Sequence, residues 1–432
     1  MNNGVHVSLP DQFDLVVGDT FQLFYRGVVE APNPYCYDIL ATCEKGKNFP
    51  RYFEYTPDVT GQHELTIAVY SNDKTLLGEA STVLNVCQAE TSPENETNIL
   101  CVGDSLTAGG VWVGEVFRRL TSEVGEPEGL GLSNFRFIGT CKKEGVCFEG
   151  YGGWTWENYI TCGQTVTSAV WIQCRHNKTE RDQHSIWCDE NNNLWQLETI
   201  EKDALKFNRY QQNLNPKPKT GTLSHYQNAQ HTEPIIIEAS AYAKNNPFWN
   251  ESDGQVDLIH YCNENGFDKI DAVYIMLTWN GFTQENIHDV SAVVSQGKQF
   301  VDRIHEQYPH AKIKIMGLQV PSANGGTGEN YGAVLPYCDD YGLTRLVFRL
   351  NRAYQAWANE ENYKDFLEFS QISGQFDSEY NMPTAEKSVN TRSKKTEIIG
   401  TNGVHPATEG YLQIADAVYR NIVKEFTYTH RD

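Results

Sequence analysis

The sequence lacks long apolar runs and is poor in positive charge. None of its 432 residues falls in an apolar stretch near the ~18 to 20 residues that span a bilayer, which argues against a membrane-spanning helix. Lysine and arginine total 35 against 56 aspartates and glutamates, a formal charge of −21. Because phosphates and anionic lipid repel such a chain, we expect no nucleic acid and no membrane partner. A neutral small molecule or oligosaccharide fits better; no cofactor is expected, and the oligomeric state stays open.

The sequence predicts neither a leader peptide nor a disulfide framework. The segment from Met1 to His6 has neither a basic nor an apolar stretch, so no signal peptide is predicted. The 11 cysteines are odd in number and irregularly spaced, and a chain of this length folds without disulfides. We expect free thiols and a cytoplasmic location, with secretion open if a leader has been trimmed away.

The first 88 residues are typical of a small all-β domain. β-rich, often alternating segments occur at residues 13–17, 21–25, 63–70 and 81–86. Turn residues separate them, and the pattern predicts a small β-sandwich over 1–88. The polar stretch 89–97, which contains Pro93, breaks the periodicity and is predicted as a linker.

Residues 98–432 follow a strand, loop and helix pattern that predicts an α/β domain. The strand candidates are 98–102, 135–138, 273–277, 313–318 and 366–369. The helix candidates begin at Gly110 and lie near 290–306, 341–358 and 407–426. Such alternation predicts a parallel sheet covered on both faces, a three-layer α/β/α arrangement. A polar insertion from about 165 to 270 breaks the pattern, and 186–189 with 194–198 predicts a hairpin inside it.

One serine stands where a parallel strand is expected to end. The apolar run Asn98 to Val102 is followed directly by Gly103-Asp104-Ser105-Leu106. Ligands of open α/β sheets bind at that edge, and the N-terminus of the next helix favours developing negative charge. Taken alone, the motif is equally well explained by a serine that caps a helix.

A histidine near the other end of the chain supplies the base that a serine nucleophile needs. His405 lies in Asn402-Gly403-Val404-His405-Pro406, directly before the last helix candidate. A serine hydroxyl is a weak nucleophile without a neighbouring base, and histidine is the usual base. A single histidine is more often structural. His405 therefore indicates catalysis only in combination with Ser105.

Two further segments could supply hydrogen-bond donors to an oxyanion. Gly150-Tyr151-Gly152-Gly153-Trp154-Thr155 follows one strand candidate, and a glycine there lets a backbone N–H approach a substrate closely. Thr278-Trp279-Asn280 ends another strand candidate, and the Asn280 amide could donate to the same oxygen. A turn glycine and a turn asparagine explain each segment equally well in isolation.

Together these four blocks resemble the SGNH, or GDSL-type, hydrolase superfamily, over roughly residues 98–426 without the insertion. The resemblance implies that Ser105 is the nucleophile and His405 the base. It also implies that the Ser105 N–H, the Gly153 N–H and the Asn280 side chain form the oxyanion hole. Asp104 of the first block is expected in the substrate site. The chain is thereby similar to carbohydrate acetylesterases that carry an N-terminal β-sandwich.

The chain departs from the superfamily pattern at two positions. Thr278 replaces a glycine, which is a mild change. Asn402 stands three residues before His405, where the family has an acid, and a neutral amide cannot stabilise an imidazolium as a carboxylate does. The favoured explanation is a Ser-His dyad oriented by the Asn402 oxygen or by a backbone carbonyl. An acid from elsewhere (Asp339, Asp340 or Glu409) and degraded activity are the alternatives.

Aromatic residues favour a carbohydrate substrate. Seven of the nine tryptophans fall in one region: Trp154, Trp156, Trp171, Trp187, Trp195, Trp249 and Trp279. Trp154 and Trp279 adjoin the expected oxyanion donors and could stack on sugar rings, although core packing is as good an explanation. The expected activity is hydrolysis of O-acetyl esters on carbohydrates through an acyl-enzyme. A lipid or thioester acylhydrolase and a non-catalytic carbohydrate-binding protein are the alternatives.

A metal site in the insertion is a possible but less favoured interpretation. Cys174, His176, His184 and Cys188 could form a two-cysteine, two-histidine set, but their spacing matches no common zinc motif. We therefore predict no metal in the site.

Overall fold

The structure is a computed structural model that describes most of the chain. The described residues are 4–162, 170–173, 186–188, 194–200, 204–209, 221–225, 235–237, 246–282, 289–332 and 339–428. They belong to two compact units: Met1–Thr155 with Asn265–Asp432, and Trp156–Glu264. No helix in the described ranges is both long and apolar enough to cross a membrane.

The first part of the larger unit consists of short strands, as the sequence pattern predicts. Their bounds are β1 His6–Val7, β2 Gln12–Val16, β3 Phe21–Phe24, β4 Val29–Glu30, β5 Asp38–Thr42, β6 Lys47–Asn48, β7 Tyr52–Tyr55, β8 Gly61–Tyr70 and β9 Leu76–Cys87. They form a four-stranded sheet in the order β2-β9-β8-β5, a three-stranded sheet β3-β7-β6 and the pair β1-β4. One apolar core joins the two larger sheets, with Leu15, Phe21, Phe53 and Leu65 among its members. The sandwich arrangement itself stays a prediction.

The remaining strands fall into three groups along the chain. The first group is β10 Thr97–Gly103, β11 Phe135–Ile138, β12 Cys141–Lys143 and β13 Val146–Gly150. The second, in the smaller unit, is β14 Val170–Gln173, β15 Ile186–Cys188, β16 Leu194–Ile200, β17 Ala204–Arg209, β18 Gly221–His225, β19 Ile235–Ile237, β20 Trp249–Asn250 and β21 Gln255–Val256. The third is β22 Ala272–Met276, β23 Lys312–Met316, β24 Leu367–Ser370, β25 Thr384–Ser388 and β26 Thr396–Gly400.

β10 is the central strand of the main sheet. The sheet runs β12-β13-β10-β22-β23-β24, and β11 pairs with the first half of β10 on the β13 side. Every pairing is parallel except that of β12 with β13. All residues of β10 and of β22 are buried, as in a parallel strand covered on both faces. The predicted α/β class with a parallel sheet is confirmed, and its three-layer arrangement stays a prediction.

The strand order of the main sheet reverses at β10, and this reversal indicates where a ligand site is expected. Residues after β10 build β11 and β13 on one side, and the later strands β22 to β24 continue on the other. Such a switch point opens a crevice at the carboxyl ends of the strands. The segments that begin at Asp104, Tyr151 and Leu277 all leave the sheet at this edge.

The helices of the structure match the predicted ones and add several that were missed. Their bounds are α1 Ser105–Ala108, α2 Val111–Thr121, α3 Trp156–Ile160, α4 Leu258–Asn265, α5 Ser291–Gln307, α6 Thr327–Tyr331, α7 Asp340–Ala358 and α8 Thr408–Phe426. The predicted start of α2 is confirmed to within one residue, and the predicted α5, α7 and α8 are confirmed to within one residue at each end. In the larger unit α2 packs on α8 and α5 packs on α7. The sequence pattern did not predict α3, α4, α6 or the exposed ribbon β25-β26.

A buried ion cluster joins the first strands to helices α2 and α8. Asp19 Oδ1 accepts from Arg119 at 2.7 Å, and Asp19 Oδ2 accepts from Arg420 at 2.5 Å. Arg119 also donates to Asp416 at 2.6 Å and is only 2% exposed. Burial opposes ionisation of Asp19, yet the two guanidinium groups outweigh it and hold the pKa of Asp19 below its usual value. The predicted boundary at 89–97 is thus crossed by charged contacts, and the separate domain over 1–88 stays a prediction.

The smaller unit carries the predicted hairpin. β15 pairs antiparallel with β16, with Trp187 opposite Trp195. In the same sheet the order is β14-β17-β16-β15-β18-β19. The possible metal set at Cys174, His176 and His184 lies outside the described residues.

Candidate active site

Ser105 is the first residue after the turn that ends β10. Asp104 caps α1, its Oδ1 accepting from the Leu106 N–H at 3.0 Å. Gly103 leaves no room for a side chain, since a Cβ there would lie 2.0 Å from Thr107 Oγ1 and 2.6 Å from the Met276 carbonyl. The tight crossing of β10, α1 and β22 thus holds Ser105, which is partly exposed, at the carboxyl edge of the sheet.

The structure brings His405 to Ser105 from 300 residues away. His405 Nε2 lies 2.8 Å from Ser105 Oγ, within hydrogen-bonding distance. Burial lowers the pKa of His405, because a charged imidazolium would lose hydration there. The ring is therefore neutral at neutral pH, which is the state that can take a proton from a hydroxyl.

No carboxylate supports His405 among the residues that the structure describes. Asp339, Asp340 and Glu409 make neither a hydrogen bond nor an ion pair with His405. Burial is the only cause of the change in the pKa of His405, and no acidic group raises it. The explanation that Asp339, Asp340 or Glu409 replaces the missing acid therefore has no geometric support.

Asn402 contacts His405 in a different way from the expected one. Asn402 Oδ1 accepts from the backbone N–H groups of Val404 and His405, each at 2.9 Å. Its Nδ2 lies 3.3 Å from His405 Nδ1. The Asn402 oxygen therefore holds the turn that carries His405, and the amide nitrogen faces the ring.

Tyr331 is the residue that the sequence analysis missed. It is the last residue of α6, and its hydroxyl lies 2.9 Å from His405 Nδ1. The turn before His405 lies directly against α6, because a Cβ at Gly403 would lie 1.7 Å from Thr327 Oγ1. No motif marks Tyr331 among the 23 tyrosines of the chain, and it stands 74 positions from His405.

The two expected oxyanion segments flank Ser105. Gly152 of the loop after β13 is close to the serine, since a Cβ built on it would lie 4.0 Å from Ser105 Cβ. Asn280, in the turn after β22, donates through Nδ2 to the Trp154 carbonyl at 3.2 Å. Asn280 and Gly153 are both exposed residues.

Thr278 adopts a backbone conformation that explains why a glycine is common at its position. Its φ is +119°, in the left-handed region that a β-branched residue rarely adopts. Thr278 is fully buried and its hydroxyl contacts that of Tyr354. The bend that turns the chain towards Asn280 is therefore strained, and a side-chain contact holds it.

The three predicted substrate-binding residues are buried. Trp279 is 1% and Trp154 6% exposed, and Trp154 packs on Tyr151 with ring centroids 4.2 Å apart. Neither indole presents an open face to a sugar, so packing explains them better than stacking does. Asp104 is also buried and its pKa is raised to about 7, first by loss of hydration. Its role in this geometry is to shape the turn around Ser105.

Comparisons with known proteins add similar solved structures. No family model matches the chain, and no curated protein matches it. A Clostridium thermocellum family 3 carbohydrate esterase has a TM-score of 0.35 at 14% identity, covering 77% of this chain and 100% of its own. A Sinorhizobium meliloti carbohydrate acetylesterase, Est24, has a TM-score of 0.34 at 12% identity, covering 77% and 100%. A Corynascus thermopiles family 2 carbohydrate esterase with a carbohydrate-binding domain has a TM-score of 0.31 at 11% identity. The match covers 97% of this chain and 92% of that one.

Each of these three solved structures is a carbohydrate esterase by its own description.

Proposed function

We propose that this chain is a serine esterase that hydrolyses O-acetyl esters, most naturally those of carbohydrates. The observation that carries the proposal is the 2.8 Å contact between Ser105 Oγ and His405 Nε2 at the carboxyl edge of the sheet. A hydroxyl that a neutral imidazole contacts at a strand end is an arrangement for acyl transfer.

The reaction would proceed in two half-reactions. His405 Nε2 takes the Ser105 proton as Oγ bonds to the ester carbonyl carbon, and the carbonyl electron pair moves to oxygen. The C–O bond to the alcohol then breaks, and His405 returns the proton to the leaving alcohol. Water attacks the acyl-serine by the same path, so that one ester and one water give one alcohol and one carboxylic acid.

The negative oxygen of the tetrahedral intermediate would accept hydrogen bonds from three donors. These are the Ser105 N–H, the Gly153 N–H and the Asn280 side chain. The Asn280 amide now donates to the Trp154 carbonyl and would exchange that bond for one to the oxyanion. Ser105 also stands at the start of α1, where helix N–H groups favour negative charge.

The substrate class rests on the chemistry of the chain. A net charge of −21 disfavours anionic ligands. Five of the seven tryptophans between residues 154 and 279 are buried, so other residues would contact the sugar. Acetate release from acetylated xylan, mannan, pectin and sialic acid would identify the natural ester among neutral and acidic glycans.

The decisive experiment is Ser105→Ala, assayed with p-nitrophenyl acetate. We expect kcat to fall by at least ~10³-fold, as when other serine hydrolases lose the nucleophile. Ser295→Ala is the matched control, since Ser295 is exposed on α5 and should leave kcat unchanged. Retained turnover in a folded Ser105→Ala variant would refute the assignment.

The alternatives give different results in two simple assays. Activity that peaks with acyl chains beyond about six carbons would indicate a lipid or thioester acylhydrolase, because a pocket built for acetyl excludes long chains. A serine-reactive phosphonate that labels Ser295→Ala but not Ser105→Ala supports the proposed nucleophile. Absence of labelling in the unaltered protein would instead favour a non-catalytic carbohydrate-binding protein.

A further inference from the structure

The imidazole of His405 can act as a base towards Ser105 in only one of its two neutral tautomers. Nε2 must hold a free electron pair towards the Ser105 hydroxyl, so the ring proton must reside on Nδ1. An Nδ1–H needs an acceptor, and a carboxylate usually provides it. Here two polar atoms lie near Nδ1: the Tyr331 hydroxyl at 2.9 Å and Asn402 Nδ2 at 3.3 Å.

Asn402 is unable to accept this proton. Its amide nitrogen has no available electron pair, so only its oxygen could accept. That oxygen already accepts from the N–H groups of Val404 and His405, each at 2.9 Å. Rotating the amide by half a turn would place its two N–H bonds against those two donors and lose both hydrogen bonds. The backbone turn therefore fixes which end of Asn402 faces the ring.

We infer that the Tyr331 hydroxyl accepts the Nδ1–H of His405 and thereby fixes the tautomer and orientation of the base, as a positioning residue in place of the family's acid. This rests on the proposed esterase function. The Tyr331 oxygen can accept from Nδ1, while its own proton makes a long third contact of 3.5 Å with Asn402 Oδ1, beside the two backbone donors at 2.9 Å. Tyr331, His405 and Ser105 thus form one hydrogen-bonded line from α6 to α1.

The charge state of Tyr331 agrees with this role. Burial raises the pKa of Tyr331 and outweighs the hydrogen bonds with Asn402 and Asn330, which act in the opposite direction. The phenol therefore stays neutral over the working pH range. No charged group is among the causes that set the pKa of His405. A neutral acceptor stabilises an imidazolium less than a carboxylate does, which is consistent with a weakly basic His405.

The test begins with Tyr331→Phe, which removes the hydroxyl and with it both the acceptor for Nδ1–H and the contacts of that hydroxyl with Asn402 and Asn330. Nδ1 would then accept from Asn402 Nδ2, and the ring proton would move to Nε2 and face Ser105. We expect kcat for p-nitrophenyl acetate to fall ~10²-fold or more, with KM nearly unchanged, because the wrong tautomer binds substrate but cannot take the proton. Tyr35→Phe is the matched control: it removes a tyrosine hydroxyl that donates to Glu379 at 2.9 Å and should leave kcat unchanged.

Rescue by Asn402→Asp separates tautomer control from simple packing. A carboxylate at 402 can accept from both backbone N–H groups with one oxygen and from Nδ1–H with the other. In the Tyr331→Phe background it should restore kcat to within about tenfold of the unaltered protein. As a single substitution it should move the acid limb of kcat/KM to higher pH, because a carboxylate stabilises the imidazolium.

The outcomes distinguish this inference from the proposed function. Wild-type kcat in folded Tyr331→Phe, or a loss that Asn402→Asp fails to rescue, would overturn the role of Tyr331 while Ser105→Ala stays inactive. If Tyr331→Phe does not fold, Asn402→Asp alone decides: an unmoved acid limb would mean that His405 is already paired with an acid. A Ser105→Ala variant that turns over would instead remove the function on which the inference rests.

Discussion

The two sides of the candidate site are built in different ways. The strand-edge side consists of Asp104 with Ser105, the loop of residues 150–154 and the turn of residues 278–281. Each of these segments directly follows a strand of one parallel sheet. The loop side consists of Tyr331, which ends α6, and of Asn402 and His405, which follow the β25-β26 ribbon.

The difference shows what fixes each half of the chemistry. On the strand-edge side the register of β10, β13 and β22 places the groups, with Gly103 paired to both Gly150 and Met276. On the loop side single hydrogen bonds do so: buried Gln319 donates to the Val404 carbonyl at 2.8 Å, and Ser322 N–H donates to the Gly403 carbonyl at 3.2 Å. A sheet specifies many positions at once, whereas a loop depends on each contact.

The largest expected effect tests whether the two sides act as one unit. His405→Ala should lower kcat by at least ~10³-fold, because Ser105 loses its base. Added to Ser105→Ala it should cause little further loss, since neither group works without the other. Steady-state assays with p-nitrophenyl acetate measure this, with exposed His310→Ala as the control. If the fold-losses in kcat of the two single variants multiply in the double variant, Ser105 and His405 do not act as one unit.

Asn280→Ala tests a strand-edge residue that acts only on the oxyanion. We expect kcat to fall ~10² to 10³-fold with a small change in KM, the usual cost of one such donor. Asn263→Ala, on an exposed position of α4, is the control. A change confined to KM would show that Asn280 binds substrate and gives no preferential stabilisation to the transition state.

Asp104→Asn tests the stability of the strand-edge side against pH. Burial raises the pKa of Asp104 to about 7 from its ordinary value of 3.8, so the folded protein holds this proton more tightly than the unfolded chain does. Its contribution to stability is full below about pH 4, declines as pH rises towards 7, and is flat above. The unfolding free energy of the variant relative to wild type should therefore rise over that window by on the order of a few kcal/mol. Urea unfolding at pH 4, 5.5, 7 and 8, with exposed Asp268→Asn as the control, measures this difference.

The acid limb of kcat/KM reports on the loop side. Burial lowers the pKa of His405, so the neutral base persists to pH values below 6.5. We expect the limb to have an apparent pKa below 6.5, measured with p-nitrophenyl acetate from pH 4 to 8 and corrected for unfolding. A limb above pH 7 would indicate an acid paired with the ring.

The smallest effect concerns strain in the strand-edge side. Thr278 has a φ of +119°, which glycine adopts without strain and alanine does not. Both Thr278→Gly and Thr278→Ala remove the contact with Tyr354, so their difference isolates the backbone. We expect the glycine variant to be the more stable by about 1 kcal/mol in urea unfolding, the reverse of the order at ordinary positions.

The sequence predicted the strand-edge side well and the loop side only in part. Apolar runs and helical spacing locate β10, β22, β23 and the last helix, because burial of a parallel sheet imposes a strong pattern. Ser105 and Asn280 follow from their places at strand ends. Tyr331 could not be predicted, since its partner is distant in sequence and a single tyrosine at the end of a short helix has no periodicity.

Burial bears on the residues that are predicted at the substrate. Trp154, Trp279 and Asp104 adjoin the proposed catalytic groups in sequence, but all three are buried. Their contact with a substrate stays a prediction. The sequence predicts that the Asn402 oxygen orients the His405 ring. In the structure that oxygen accepts hydrogen bonds from two backbone N–H groups.

The ion cluster around Asp19 has a consequence for how heat acts on the protein. Without Asp19, the buried guanidinium groups of Arg420 and Arg119 would each lose a carboxylate that they contact at 2.5 and 2.7 Å. Stranding a buried charge in this way typically costs about 3–5 kcal/mol. The early strands and the helices that cover the parallel sheet should therefore melt as one cooperative block, and calorimetry should record a single endotherm for both.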